Sequence, residues 1–225
     1  PENIVLAAAA NVDFDSTVEP TSALTGPGAT QEQPAAPEPD DLSTLPEGVE
    51  VEPVIETPDA AQAYLVRVSP APKTTDPARY ATRLLSTVLG DESGSRFFWE
   101  LIDTGRAEAC AMWCQEFAAS GAMFTYLVCH PDEMTSNRKR VDKLIRQVLK
   151  GGVEEDELSR AKNKTIASCI MQSDRPSNRL FGVGNGWQMR GEYVDLDTML
   201  DRYRNVTLDD IAHAADQFLT QAHAP

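Results

Sequence analysis

Between Glu19 and Pro58 the chain has no aromatic residue, and before residue 60 it has neither Lys nor Arg. Eight prolines fall in the same stretch. A segment so composed cannot bury enough apolar surface to offset its ordering entropy, so residues 19–58 are expected to form an acidic, Pro-rich linker. The missing cations also locate the charge. Of the net −15, residues 1–59 contribute −13 and the rest of the chain only −2. No basic stripe awaits a phosphate backbone, which excludes nucleic acid as an expected partner; the acidic leader reads as a solubilising tether. No apolar run reaches the roughly 18–20 residues of a bilayer crossing, so no membrane span is expected. The chain opens on Pro1 with no basic stretch ahead of an apolar one, and no signal peptide is expected in this piece. The compartment stays open. Four cysteines, none in a C-x₂-C spacing, make no disulfide framework.

What is present reads as a folded domain. Residues 3–12 form a short apolar run, expected as a buried strand, with Asp13-Phe-Asp15 as a turn. A second strand is expected at Ala63–Ser69. Asp76-Pro77 begins a helix whose apolar positions are Tyr80, Leu84, Leu85 and Val88 and which Gly90 ends. A short helix, Ser95–Ile102, leads to two strands near 107–117 and 122–130, read as a hairpin. The remainder is helical. Val141, Leu144, Ile145, Val148 and Leu149 form one stripe, stopped by Gly151-Gly152. Leu158, Ala161, Thr165, Ile166 and Cys169 form another. A third segment runs from Leu180 to about Arg190, and Thr207-Leu-Asp-Asp210 caps a last helix with Ile211, Ala214, Phe218 and Leu219. The order predicts an α+β fold, a mixed, mostly antiparallel sheet backed by helices.

Period-two alternation sorts the hairpin into two faces. Cys110, Met112 and Cys114 share one with Met123, Leu127 and Cys129, and a sulfur-rich core face is the expectation. A zinc knuckle from Cys110, Cys114, Cys129 and His130 is disfavoured, since His130 points away from Cys129. The other face carries Trp113, Gln115, Phe117, Phe124, Tyr126 and His130. Two readings stay open for it, a second core face under helices or a peptide-contacting surface. Gly182-Val-Gly184-Asn-Gly186 has no strand before it, so a phosphate loop is not expected. The acids Asp91-Glu92 and Glu154–Glu157 read as surface charge, the latter favouring a helix N-terminus.

Several stretches, in order, resemble the insulinase-like family, which includes the pitrilysins and mitochondrial processing peptidases. Pro1-Glu-Asn-Ile-Val-Leu-Ala-Ala-Ala-Ala-Asn-Val-Asp-Phe-Asp15 is similar to the end of that family's first domain. Asp76-Pro-Ala-Arg-Tyr-Ala-Thr-Arg-Leu-Leu-Ser-Thr-Val-Leu-Gly90 and Ser93-Gly-Ser-Arg-Phe97 resemble the start of its second. Gly152-Val-Glu-Glu-Asp-Glu-Leu-Ser-Arg-Ala-Lys162, Trp187-Gln-Met-Arg-Gly-Glu-Tyr193 and Val206-Thr-Leu-Asp-Asp-Ile211 are similar to later segments of that domain. The resemblance implies residues 1–18 as the last strand and turn of a preceding homologous domain. Residues 59–225 would then be the second, non-zinc domain, with both ends of the chain cut from a longer protein.

The family implies a zinc metalloendopeptidase built as a clamshell around unfolded peptide. One half holds zinc through His-Xaa-Xaa-Glu-His, two imidazoles one helical turn apart with a Glu activating the bound water. This chain has only His130, His213 and His223, none in such an array. The expectation is no catalytic residue, no metal ligand and no cofactor in this chain, with zinc in a homologous partner domain or subunit. Peptide contact is expected at Trp113, Gln115 and Tyr126, on the chamber wall. The resemblance implies that in active relatives the second domain often offers an Arg and, seven residues later, a Tyr; the corresponding positions here are Ile102 and Glu108, with one residue fewer between the flanking matches, and neither can stabilise an oxyanion. A catalytically silent scaffold or assembly subunit is the alternative.

Overall fold

The computed structural model describes residues 6–9, 13–25, 55 and 60–220. Helix α1 spans Phe14–Thr25. It is followed by β1 (Ala63–Pro70), α2 (Ala78–Gly90), a π-helical turn (Phe98–Ile102), β2 (Ala109–Glu116) and β3 (Gly121–Cys129). Five helices complete the chain: α3 (Met134–Gly151), α4 (Glu155–Ser173), α5 (Pro176–Arg190), α6 (Leu196–Arg204) and α7 (Leu208–Phe218). The sheet order is β1-β3-β2, antiparallel throughout. This is the expected α+β layering. Among the described residues no helix is long and apolar enough to cross a membrane.

Local chemistry accounts for most boundaries. Asp76 Oδ1 accepts the Ala78 N–H at 2.8 Å ahead of α2. Gly152 leaves α3 at φ 76°, a conformation that excludes most side chains. Glu154 and Glu157 form a reciprocal capping box on α4, and Thr207 and Asp210 form another on α7. Val141, Ile145 and Val148 of α3 and Ile211, Ala214 and Phe218 of α7 are buried, as their spacing requires. The core gathers Leu84, Leu85, Leu89, Phe97, Leu101, Met123 and Leu127 on the inner side of the sheet. Arg67 of β1 pairs with Asp142 of α3 at 2.9 Å and ties the sheet edge to its helical cover.

Three expectations need correction. The turn at Asp13–Asp15 is instead the start of α1, because the Asp13 carboxylate accepts the Ser16 N–H at 2.9 Å. Residues 19–25, taken as linker, continue that helix with Pro20 in its interior, and the Thr21 hydroxyl donates to the Thr17 carbonyl at 2.8 Å. Residues 6–9 pair with no strand, and Ala7 lies alongside Gly184 of α5 instead. The rest of the expected first strand, and most of the linker, lie outside the described residues. Finally, α6 was not anticipated. Asp195 caps it by accepting the Thr198 N–H at 2.8 Å, and Leu200 and Tyr203 bury its inner side.

Candidate functional site

Among the described residues α2 and α3 pack on the inner face of the sheet. On the inner face Cys110 pairs with Leu127, Met112 with Thr125, and Cys114 with Met123. Burial, together with neighbouring Cys129, pushes the Cys110 thiol up to about 12, and burial pushes Cys114 up to about 11. Such thiols resist the deprotonation that metal binding requires. His130 is exposed beyond the end of β3, where its Nδ1 accepts the Asp132 N–H. Among the described residues no group of three or more His, Cys, Asp or Glu could hold a metal ion. The described residues therefore offer no such ion a set of ligands.

Among the described residues much of the outer face is exposed, with Phe124 and Tyr126 half-buried and Val128 buried, which counts against the second-core reading. Its rows cross all three strands. Val68, Phe124 and Trp113 form one, and Val66, Tyr126 and Ala111 the next. Tyr64, Val128 and Ala109 follow, and Pro70, Ala122 and Gln115 close the set. The Trp113 and Phe124 rings stack at 5.3 Å between centroids and 9° between planes. Tyr64 is 62% exposed, Val66 58% and Trp113 42%. Phe117 continues the patch just beyond β2. Exposed apolar side chains therefore stand side by side on this face. The Gln115 amide and the Tyr126 hydroxyl lie within it without a hydrogen-bond partner among the described residues. They are free to meet a polypeptide backbone.

All three sequence-derived candidates, Trp113, Gln115 and Tyr126, thus fall on this one face. Tyr64, Val66 and Val68 of β1 belong to it too and were missed. Their alternation with Leu65, Arg67 and Ser69 carried the signal, but the pairing of β1 with β3 was needed to assign a side. The other two positions offer nothing to an oxyanion. Ile102 packs against the core, and Glu108 is exposed and accepts a hydrogen bond from the Gln62 amide.

Comparison with known proteins gives this arrangement a family. The family described as the peptidase M16 inactive domain matches residues 1–165. The chain belongs to the insulinase-like M16 peptidases, as an inactive domain. An uncharacterized zinc protease from Streptomyces coelicolor is 29% identical over 97% of this chain and 48% of its own length. One from Mycobacterium leprae is 25% identical over 99% of this chain and 50% of its own. The chain thus spans about half the length of these curated relatives. In fold it is similar to a protease from Helicobacter pylori, with a TM-score of 0.79 at 15% identity, covering 95% of this chain and 52% of that one. A peptidase M16 inactive domain from Pseudomonas fluorescens gives a TM-score of 0.65 at 18% identity, covering 72% and 39%.

Proposed function

We propose that this M16 inactive domain is the non-catalytic half of a zinc metallopeptidase, and that its open sheet face forms part of the wall of a peptide-binding chamber. The zinc-bearing half would be a homologous domain or subunit, to which the stretch ahead of residue 59 would connect this one. The observation that carries the reading is the open face itself. An unfolded peptide offers apolar side chains and unpaired backbone groups, and the face offers Trp113, Phe124, Tyr64 and Val66 beside the polar ends of Gln115 and Tyr126. Aromatic side chains suit such contact because they bring large area at low entropic cost. Binding would be weak and sequence-tolerant, and cleavage would take place elsewhere.

The alternative, a silent scaffold subunit, draws on Ile102 and Glu108, which lack the donors seen in active relatives. The test separates the two. With Trp99→Phe and Trp187→Phe in place, Trp113 reports the face alone. The proposal expects an unstructured apolar peptide to shift Trp113 emission and to reduce its quenching by acrylamide. It expects Phe124→Ser with Tyr126→Ser to weaken the response by about tenfold, the loss of one to two kcal/mol of aromatic contact. A Trp113 that ignores peptide favours the scaffold.

A further inference from the structure

A second surface, on the far side of the molecule from the open sheet, is built around α3. Lys139, Lys143, Arg146 and Lys150 are all exposed and recur at i, i+4, i+7 and i+11, one stripe along the helix. The opposite side of α3 is the buried one, through Val141, Ile145 and Val148. Beside the stripe runs a groove of about 940 Å³, walled by α3, by Trp99 of the π-helical turn and by the start of α4.

Charge in this groove is not balanced. Its acids are already held. Glu157 accepts from Arg96 Nε at 2.8 Å and Nη2 at 2.6 Å, and Glu100 accepts from Arg140 at 2.7 Å. Glu154 is engaged in the α4 capping box, and the Asp156 carboxylate is paired with Arg160. Lys143, Arg146 and Lys150 have no partner among the described residues. In a chain of net charge −15 they form a local cationic strip. Trp99, 58% exposed, and the half-buried Leu144 add an apolar edge to it.

We infer that the α3 groove binds an acidic stretch of a partner polypeptide, its carboxylates on Lys143, Arg146 and Lys150 and an apolar side chain against Trp99. The spacing fits. Successive cations of the stripe rise by roughly 4.5–6 Å along the helix, and side chains two apart on an extended chain rise by roughly 6.5 Å. Arg146 supplies the planar fork that grips a carboxylate bidentately. An oligonucleotide of the same charge is the competing occupant, and it lacks the apolar side chain that the Trp99 edge would cover. The inference stands apart from the open sheet face and from the proposed function.

A labelled peptide copying residues 38–59, which carry eight carboxylates and no cation, is a suitable probe of this chemistry. Its anisotropy is followed with the whole protein at about 50 mM salt, where screening is weak. Binding is expected, and it is expected to vanish at about 0.5 M salt. Lys143→Glu with Arg146→Glu and Lys150→Glu should weaken it at least about tenfold. Trp99→Ala should weaken it a few-fold with the salt dependence unchanged. If the reversed variant fails to fold, by circular dichroism, Lys143→Gln with Lys150→Gln replaces it, with about a threefold loss expected. The inference is overturned by no binding at low salt, by equal binding to the substituted proteins, or by tighter binding of an oligonucleotide of the same charge.

Discussion

Cys110 stands opposite Leu127 on the inner face of the sheet, and its raised thiol pKa should make it nearly inert. Cys114 should follow it. At pH 8 almost none of either would be thiolate, and thiolate is the reactive form. The expected result with iodoacetamide is no labelling of Cys110 or Cys114 in the native protein and full labelling in denaturant; mass spectrometry of the digest reads it. Alternation alone made this face legible, because cysteine and methionine behave as core residues when they share a strand face with leucine. The Arg96–Glu157 pair was not legible. It joins positions 61 apart in the chain, and nothing local signals it. Burial alone would raise the Glu157 carboxyl, but the Arg96 guanidinium and the Glu154 backbone N–H hold it below its ordinary value. A carboxylate so lowered contributes stability above its ordinary range and loses it as pH falls through the native value. Arg96→Ala should therefore cost about 1 kcal/mol at neutral pH, in urea unfolding, with the difference from wild type shrinking on acidification.

At the scale of elements, helices declared themselves where a cap and a stripe coincide. Asp76-Pro77, Gly151-Gly152 and Thr207–Asp210 are such places, and the structure has a helix end at each. α6 has a cap too, Asp195, but its nine residues carry few apolar positions, too short a run for period to emerge. α1 was hidden differently: its Pro20 and acids look like linker composition, while the decisive cap is a single aspartate. Gly90 was legible as a helix end but not for what it touches. It closes α2 directly over β2, and a Cβ there would fall on the Met112 backbone. Backbone cannot yield as a side chain can, so Gly90→Ala should destabilise by about 2–3 kcal/mol, at the upper end for overpacking. Thermal melts followed by circular dichroism measure it. At the exposed Gly94, where a Cβ meets nothing, the positive φ of 79° alone should set a smaller cost.

For the whole molecule, the open question was whether the aromatic side of the hairpin is core or surface. The sequence holds enough helices to cover both faces of a three-stranded sheet, and no count of residues could show which face α2 and α3 would take. α2 lies over β2 and also meets α4, α6 and α7, so the helical layer is gathered around it. That leaves Tyr64, Val66, Val68, Trp113 and Phe117 in water. The domain thus presents one face packed under helices and, among the described residues, one face with a large exposed apolar part. On the proposed function this polypeptide binds peptide but cannot cleave it. The most direct test is to equilibrate the purified chain with zinc, remove the excess, and measure bound metal together with hydrolysis of an unstructured fluorogenic peptide. No stoichiometric zinc and no turnover are expected. One tightly held zinc per chain, with peptide cleavage abolished by chelator and restored by the metal, would contradict that reading.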